Sequence, residues 1–148
     1  MSQADEGVDL GTSLGYQLKE ASSALRAAME AALRPLGMTV THYSCLELLS
    51  QRPGLSNSDL ARGTFVTRQS MNILLQALER DGYVTRPAEA PVGKALPTNL
   101  TPAGRKRLAR ATVAVRAIER HMLSKLSDQD QDTTRRILST IIESLNHR

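Results

Sequence analysis

Side chains that can pair with nucleobases are concentrated in residues 67–80, TRQSMNILLQALER. Asn and Gln can each make two hydrogen bonds to the edge of adenine, and Arg can bind guanine edges and phosphates. A helix would leave Ile73 outside among these amides, where it could pack on the methyl group of thymine. We therefore expect this stretch to read a DNA major groove, with a preference for A·T pairs. The alternative is an ordinary solvated helix face.

The same stretch has the pattern of an amphipathic helix with marked ends. Its apolar residues repeat at i, i+3, i+4 and i+7, which predicts one buried side: Met71, Leu74, Leu75 and Leu78. Thr67 can accept a hydrogen bond from the free N–H groups of the first turn, and Gly82 can adopt the left-handed conformation that ends a helix. The amide-bearing side therefore faces outward.

A β-hairpin is predicted directly after this helix. Residues 83–86 and 95–100 have the pattern of two short strands, and Pro87, Pro91 and Gly93 lie between them. Arg86 would lie at the base of the hairpin and Lys94 near its tip. A helix followed by such a hairpin is typical of a winged helix-turn-helix, to which we assign residues 36–100. The predicted fold class is mainly α with this small hairpin.

Two shorter helices are predicted before the reading helix. Thr39 or Thr41 can cap the first, which ends before Pro53 and Gly54. Ser56 and Asp59 form a variant of the capping box for the second, which we expect to end at Gly63. The tight corner that follows suits helix-turn-helix geometry. Arg62, on this second helix, is a candidate phosphate contact.

Long helices are predicted at both ends of the chain. A narrow apolar stripe covers residues 10–34, from Leu14 to Leu33, and Pro35 and Gly37 end it. Thr101 and Pro102 start a helix that should reach about residue 126, and Ser127 starts a last one. We expect residues 10–35 and 102–148 to dimerise, within a single domain of residues 10–148 that follows a disordered tail at residues 1–9. The alternative is that these helices pack on their own winged domain.

Charge is unevenly distributed along the 148 residues. Residues 52–110 hold ten Lys and Arg against four Asp and Glu, a net charge of +6, whereas the remainder has a net charge of −2. Positive charge is thus concentrated on the predicted reading module, as attraction to phosphate requires. The hydrophobic content is 41% with only 3% aromatic residues, which favours an aliphatic, helix-rich core.

Several function classes find no support in the sequence. It lacks a glycine-rich phosphate loop, a Cys-His pairing at useful spacing and paired carboxylates in an apolar setting, so we predict neither an enzyme nor a cofactor. His42, His121 and His147 are too scattered to indicate a metal site. No signal peptide or membrane-spanning segment is evident, and a single cysteine, Cys45, fits a reducing cytoplasm.

With these residues in view, the chain resembles the MarR (multiple antibiotic resistance regulator) family over about residues 10–145. The most specific pieces are LGMTVTHYSCLELLSQRPGLSNSDLAR, FVTRQSMNILLQALERDGYV and LTPAGRKRL. The resemblance implies terminal helices that dimerise, a reading helix in the major groove, a hairpin in an adjacent minor groove, and release of DNA by a small, often phenolic, ligand. Family hairpins commonly carry Asp-x-Arg at the tip; here Lys94 is the nearest substitute, and it lacks the arginine fork.

We therefore predict a cytoplasmic, homodimeric DNA-binding regulator, a repressor that a small aromatic ligand releases from a pseudo-palindromic operator. Its predicted DNA contacts are Thr67, Arg68, Gln69, Ser70, Asn72, Ile73, Gln76, Arg86, Lys94 and Arg62. Its predicted ligand contacts are Tyr16, His42 and Tyr43, because the first two helices meet where the two lobes join. Alternatives are a helical interaction protein without DNA binding, and a regulator that is constitutive or that senses redox state through Cys45, although a buried thiol is the simpler interpretation of that residue.

Overall fold

The computed structural model describes residues 7–88 and 96–147. In chain order its elements are α1 (Leu14–Leu33), a short 3-10 helix (Arg34–Leu36), α2 (Val40–Gln51), α3 (Asn57–Thr64), α4 (Arg68–Arg80), β1 (Val84–Thr85), β2 (Asn99–Leu100), α5 (Pro102–Met122) and α6 (Asp128–Asn146). The chain divides into two compact units, of which the first ends at Val115 and the second begins at Arg116. The predicted mainly helical fold with a small hairpin is confirmed. The predicted division into a tail and a single domain stays a prediction.

The core of the first unit lies between α2, α3, α4, the hairpin base and the start of α5. Apart from Thr98, its fully buried side chains are aliphatic or sulfur-containing, as the scarcity of aromatic residues in the sequence suggested, and they include Leu46, Leu49, Leu60, Met71, Leu75 and Leu78. The predicted inward side of the reading helix is confirmed by Met71, Leu75 and Leu78, with Leu74 half-buried. Each of these helices is held to the core by one apolar side, and its other side is left free for binding.

Most of the predicted helix starts are confirmed at the atomic level. Thr39 accepts the backbone N–H of His42, Thr101 accepts that of Gly104, and Ser127 accepts that of Asp130. Between Ser56 and Asp59 the capping box is complete in both directions. These side chains satisfy N–H groups that have no partner inside their own helix, which is why their positions fix where each helix begins.

Three helix boundaries differ from the sequence prediction. The first helix begins at Leu14 rather than near residue 10, because Ser13 accepts the N–H of Tyr16 and thereby caps it. Helix α3 continues through Gly63 to Thr64. Helix α5 ends at Met122 rather than near residue 126, since residues 123–126 form turns before Ser127 caps α6.

The β-hairpin is shorter than predicted in its described part. Val84 pairs with Leu100 and Thr85 with Asn99 in antiparallel register, and a single bridge between Leu55 and Thr98 ties this base to the segment before α3. Residue 95 of the predicted second strand and the predicted tip of the hairpin, including Lys94, lie outside the described residues. What is described is therefore the root of the hairpin, anchored on both sides to the helical core.

The second unit consists of the end of α5 and helix α6. None of the described residues of α6 is buried, although it carries the apolar stripe that the sequence predicted, with Ile137, Leu138, Ile142 and Leu145 exposed. Within the described residues, no helix is both long enough and apolar enough to cross a membrane. The exposed stripe of α6 is an apolar surface of the kind that binds another protein chain.

Candidate nucleic-acid interface

Helices α3 and α4 form a tight two-helix corner. Gly63 lets α3 approach α2 closely: a Cβ atom there would come within 2.6 Å of Leu48 Cδ1. On the other side of the corner, Asn57 donates a hydrogen bond from Nδ2 to the carbonyl of Arg68 at 3.1 Å and so joins the starts of the two helices. The corner therefore presents α4 in one fixed orientation relative to the core.

The predicted reading side of α4 faces solvent along its whole length. Its exposed residues are Thr67, Arg68, Gln69, Ser70, Asn72, Ile73 and Gln76. Ile73 is 61% exposed. An apolar side chain that is displayed among amides in this way is the composition expected of a helix that reads base edges and thymine methyl groups.

Thr67 and Ser70 organise the start of α4. The Thr67 hydroxyl oxygen accepts the backbone N–H of Ser70 at 3.1 Å and donates its own proton to Ser70 Oγ at 3.0 Å. Both side chains are exposed, so their oxygens stay within reach of a phosphate. A helix start of this kind also carries partial positive charge, which favours an anion.

Arg62 lies on α3 with an exposed side chain that pairs with Asp59. Its Nη2 atom is 2.6 Å from Asp59 Oδ1. Hydrogen bonds from the Ser56 side chain and backbone, together with the charge of Arg62, lower the pKa of the Asp59 carboxyl. Because an exposed pair of this type contributes little to stability, Arg62 can exchange Asp59 for a phosphate at small cost.

Arg86 occupies a different place from the one that its predicted role requires. Its guanidinium donates from Nε and Nη2 to Glu79 Oε1, at 3.2 and 2.9 Å, and its side chain is only 13% exposed. This geometry ties the hairpin base to the end of α4 and disfavours Arg86 as a phosphate contact. Lys94, the other predicted hairpin contact, lies outside the described residues.

The three predicted ligand residues differ in their surroundings. Tyr16 is on the first turn of α1 and 42% exposed, while Tyr43 packs against the core. His42 is half-buried, with its ring centroid 6.3 Å from that of Tyr83. Burial lowers the pKa of His42, and the nearby positive charge of Arg107 lowers it further.

A cavity of about 430 Å³ does lie between α1, α2 and the corner. It is lined by residues of all three: Ser22, Leu25, Arg26, Met29, Val40, Thr41, Ser44, Thr64, Phe65 and Val66. This volume is within the range of small-ligand sites. Among these residues one side chain is cationic and none is acidic, so the cavity suits an anion with an apolar body. The sequence prediction placed a ligand site between the first two helices but named none of these residues as a ligand contact.

Cys45 has the environment of a structural thiol rather than a sensor. It is fully buried, and burial raises its pKa to about 12. Since the thiolate is the reactive form, this cysteine is protected from oxidation both by its burial and by its protonation. The redox alternative therefore loses its support. Within the described part of the chain, no three His, Cys, Asp or Glu side chains are grouped so as to hold a metal ion.

A two-helix corner whose second helix displays amides to solvent, followed at once by a β-hairpin base, defines a winged helix-turn-helix protein. A sequence model of the MarR family matches residues 36–95, which include α2, α3, α4 and β1. The chain is also 43% identical over 128 residues to the HTH-type transcriptional repressor Rv2887 of Mycobacterium tuberculosis, covering 86% of this chain and 92% of that protein. The chain belongs to the MarR family.

Solved structures agree with this assignment. The crystal structure of Rv2887 in complex with DNA shares 40% sequence identity and a TM-score of 0.72 with this chain, and it covers 88% of this chain and 98% of its own. The structure of Rv2887 in complex with salicylic acid has 42% sequence identity and the same TM-score, and the match covers 88% of this chain and 96% of that one. The structure of the transcriptional repressor CouR bound to a 23-mer DNA duplex has 28% sequence identity and a TM-score of 0.76, and the match covers 92% of this chain and 99% of that one.

Proposed function

We propose that this protein is a transcriptional repressor that binds double-stranded DNA as a homodimer and is released by a small aromatic anion. The observation that carries the proposal is the solvent-facing side of α4, where Gln69, Asn72 and Ile73 are exposed together at the start of a helix fixed by its corner. Its action is binding rather than catalysis, and we place it in the cytoplasm, with the DNA.

The exposed groups in the first half of α4 have proposed roles. Gln69 and Asn72 pair with adenine, and Ile73 packs on a thymine methyl group. Arg68, at the first position of the helix, binds a phosphate and fixes the register, as do Thr67 and Ser70. Operators of this protein are accordingly rich in A·T pairs within each half-site.

The exposed stripe of α6 and the apolar residues of α1 supply the surface for dimerisation. Leu14 on α1, and Ile142 and Leu145 on α6, are exposed in the single chain, and their burial against a second copy would remove apolar surface from water. Two copies related by a two-fold axis present two α4 helices to one face of a duplex. Half-site centres about 34 Å apart follow from that geometry.

The cavity between α1, α2 and the corner is the proposed effector site. Arg26, which pairs with Glu30 at 3.1 Å on the exposed surface, would bind the ligand carboxylate, and Leu25 and Met29 would contact its ring. The complex of the relative Rv2887 with salicylic acid supports this ligand class. A coupling of about 1–3 kcal/mol between ligand and DNA is enough to change DNA affinity 5- to 150-fold.

The test is DNA selection followed by affinity measurement over a range of salt concentrations. Duplexes that the protein selects from genomic fragments are titrated by fluorescence anisotropy with unmodified protein and with Arg68→Ala. We expect Arg68→Ala to weaken binding to all selected sequences and to lower the salt dependence by about one phosphate contact. Lys19→Ala, which removes an exposed positive charge from α1, is the matched control and should leave both quantities unchanged.

The outcomes separate the proposal from its rivals. Salt-independent or undetectable duplex binding by the unmodified protein would identify a helical interaction protein without DNA binding. Tight DNA binding that salicylate and benzoate leave unaffected would identify a constitutive regulator. Equal effects of Arg68→Ala and Lys19→Ala would mean that α4 is not the reading helix.

A further inference from the structure

Phe65 occupies a position that is unfavourable for its side chain in two ways. With a φ of 62° it is the one non-glycine among the described residues whose φ is positive, and its side chain is 94% exposed. The end of α4 provides an internal comparison. There the same arrangement of hydrogen bonds places Gly82 at the left-handed position, as is usual.

Phe65 is one of the residues that line the cavity between α1, α2 and the corner, and its ring is exposed beside it. In that wall it joins Leu25, Met29, Val40 and Val66, whose side chains are apolar. A large aromatic ring that is not buried by its own chain, and that borders an apolar cavity open to solvent, is placed to cover whatever enters that cavity. Neither the conformation nor the exposure of Phe65 benefits the empty protein.

Phe65 is also covalently close to the reading helix. The N–H of Phe65 donates to the carbonyl of Arg62, and the N–H of Val66 donates to the carbonyl of Ala61; these two hydrogen bonds end α3. The residue after Val66 is Thr67, the N-cap of α4. The cavity wall, to which Val66 also belongs, is therefore directly next to the cap along the chain. A movement of Phe65 cannot be absorbed in a long loop before it reaches α4.

We propose that Phe65 is the lid of the effector site and the residue that couples it to DNA binding. An aromatic anion in the cavity stacks against the Phe65 ring, the ring closes over it, and the backbone of Val66 and Thr67 follows, which displaces the start of α4 from its position in the groove. This inference rests on the proposed function, because it needs a ligand in that cavity and DNA on α4.

A tryptophan reporter tests the closure directly, since the chain contains no Trp. In Phe65→Trp, saturating benzoate should shift the indole emission to the blue and protect it from acrylamide quenching. Val8→Trp, at another highly exposed apolar position, should show neither change. If the indole of Phe65→Trp stays equally accessible to acrylamide with and without benzoate, the lid does not exist.

A second pair of variants tests the coupling. Phe65→Ala removes the ring and keeps a side chain at the left-handed position, whereas Phe65→Gly removes the ring and also suits that conformation. Both should keep their affinity for DNA without ligand, and both should need more benzoate for half-release of the duplex, by about two- to tenfold, the range expected for an aromatic pair. Phe65→Tyr should retain the response.

The controls separate this inference from the proposed function. DNA affinity without ligand tests the reading helix alone, so its loss in unmodified protein refutes the function whatever Phe65 does. Unaltered release of DNA by benzoate in Phe65→Ala and Phe65→Gly overturns the role of Phe65 and leaves the function standing. Failure of both benzoate and salicylate to bind the unmodified protein, with DNA binding intact, also overturns the inference.

Discussion

His42 is a residue whose neutral form is favoured by folding. Its ring is half-buried near Tyr83, its Nε2 atom has no hydrogen-bond partner in the described part of the chain, and the Arg107 guanidinium adds to the effect of burial. Burial, and next the charge of Arg107, disfavour the protonated ring and lower the pKa of His42 below its usual 6.5, although Asp81 opposes them. Protonation of His42 therefore works against the folded state.

We expect the free energy of unfolding to fall as the pH is lowered from about 6.5 toward the folded-state pKa of His42. In this range the unfolded chain takes up a proton that the folded chain does not, so stability is fully present above 6.5 and is lost below it. Urea denaturation between pH 5 and 8, roughly the range in which histidine titrates, measures the effect. His42→Gln should flatten this dependence, and His121→Gln, at an exposed position, should preserve it. A dependence that is equally steep in His42→Gln would refute the assignment.

At the residue scale, the sequence was most informative about side chains that obey local rules. Thr39, Ser56, Thr67, Thr101 and Ser127 were predicted as caps, and each is one, because a cap depends only on residues within the first turn of its helix. Phe65 could not be anticipated in the same way. The nearest glycine, Gly63, lies inside α3 against Leu48, and the left-handed position at the end of the helix is taken by Phe65.

At the scale of the elements, Gly104 decides how α5 meets the hairpin. A Cβ atom at this position would lie 2.1 Å from the carbonyl oxygen of Tyr83, which belongs to the backbone and cannot rotate away. The carbonyl also accepts the N–H of Thr101. The start of α5 and the root of the hairpin are therefore in direct backbone contact.

Gly104→Ala should destabilise the protein by about 1–3 kcal/mol, the usual cost of overpacking, and thermal unfolding measures it. Gly15→Ala is a matched control near the start of α1, where a Cβ atom meets only Ser13 Oγ at 3.8 Å. That substitution should be neutral or stabilise by up to about 1 kcal/mol. If both substitutions have the same effect, the contact between α5 and the hairpin does not constrain the fold.

Periodicity predicted which elements exist but not all of their ends. The six α-helices and two strands of the described residues were predicted, since apolar spacing and turn residues extend over many positions, whereas the short 3-10 helix was not. Helix α5 was predicted to reach about residue 126, because residues 123–126 keep an apolar pattern. The ion pair of Arg86 was not predicted either. Its partner, Glu79, is seven residues away and in another element, so only the tertiary structure brings the two together.

At the scale of the whole molecule, the exposed stripe of α6 requires a partner that the single chain does not supply. We expect Ile142→Asp to convert a dimer into a monomer, because a carboxylate at a buried apolar contact would lose its hydration without a partner. Size-exclusion chromatography with light scattering measures the change. Thr140→Asp, on the opposite side of α6, should remain dimeric. A protein that elutes as a monomer before any substitution would remove the basis of the proposed operator symmetry.

The pairing of Arg86 with Glu79 has a consequence for how the protein meets its operator. Since this ion pair joins the root of the hairpin to the far end of α4, the angle between the hairpin and α4 is set before any duplex is present. Little conformational freedom remains there to be lost on docking, so the association is preorganised within each protomer. Where a site does not match that preset angle, the duplex must bend, and the stiffness of its base steps becomes part of the recognition.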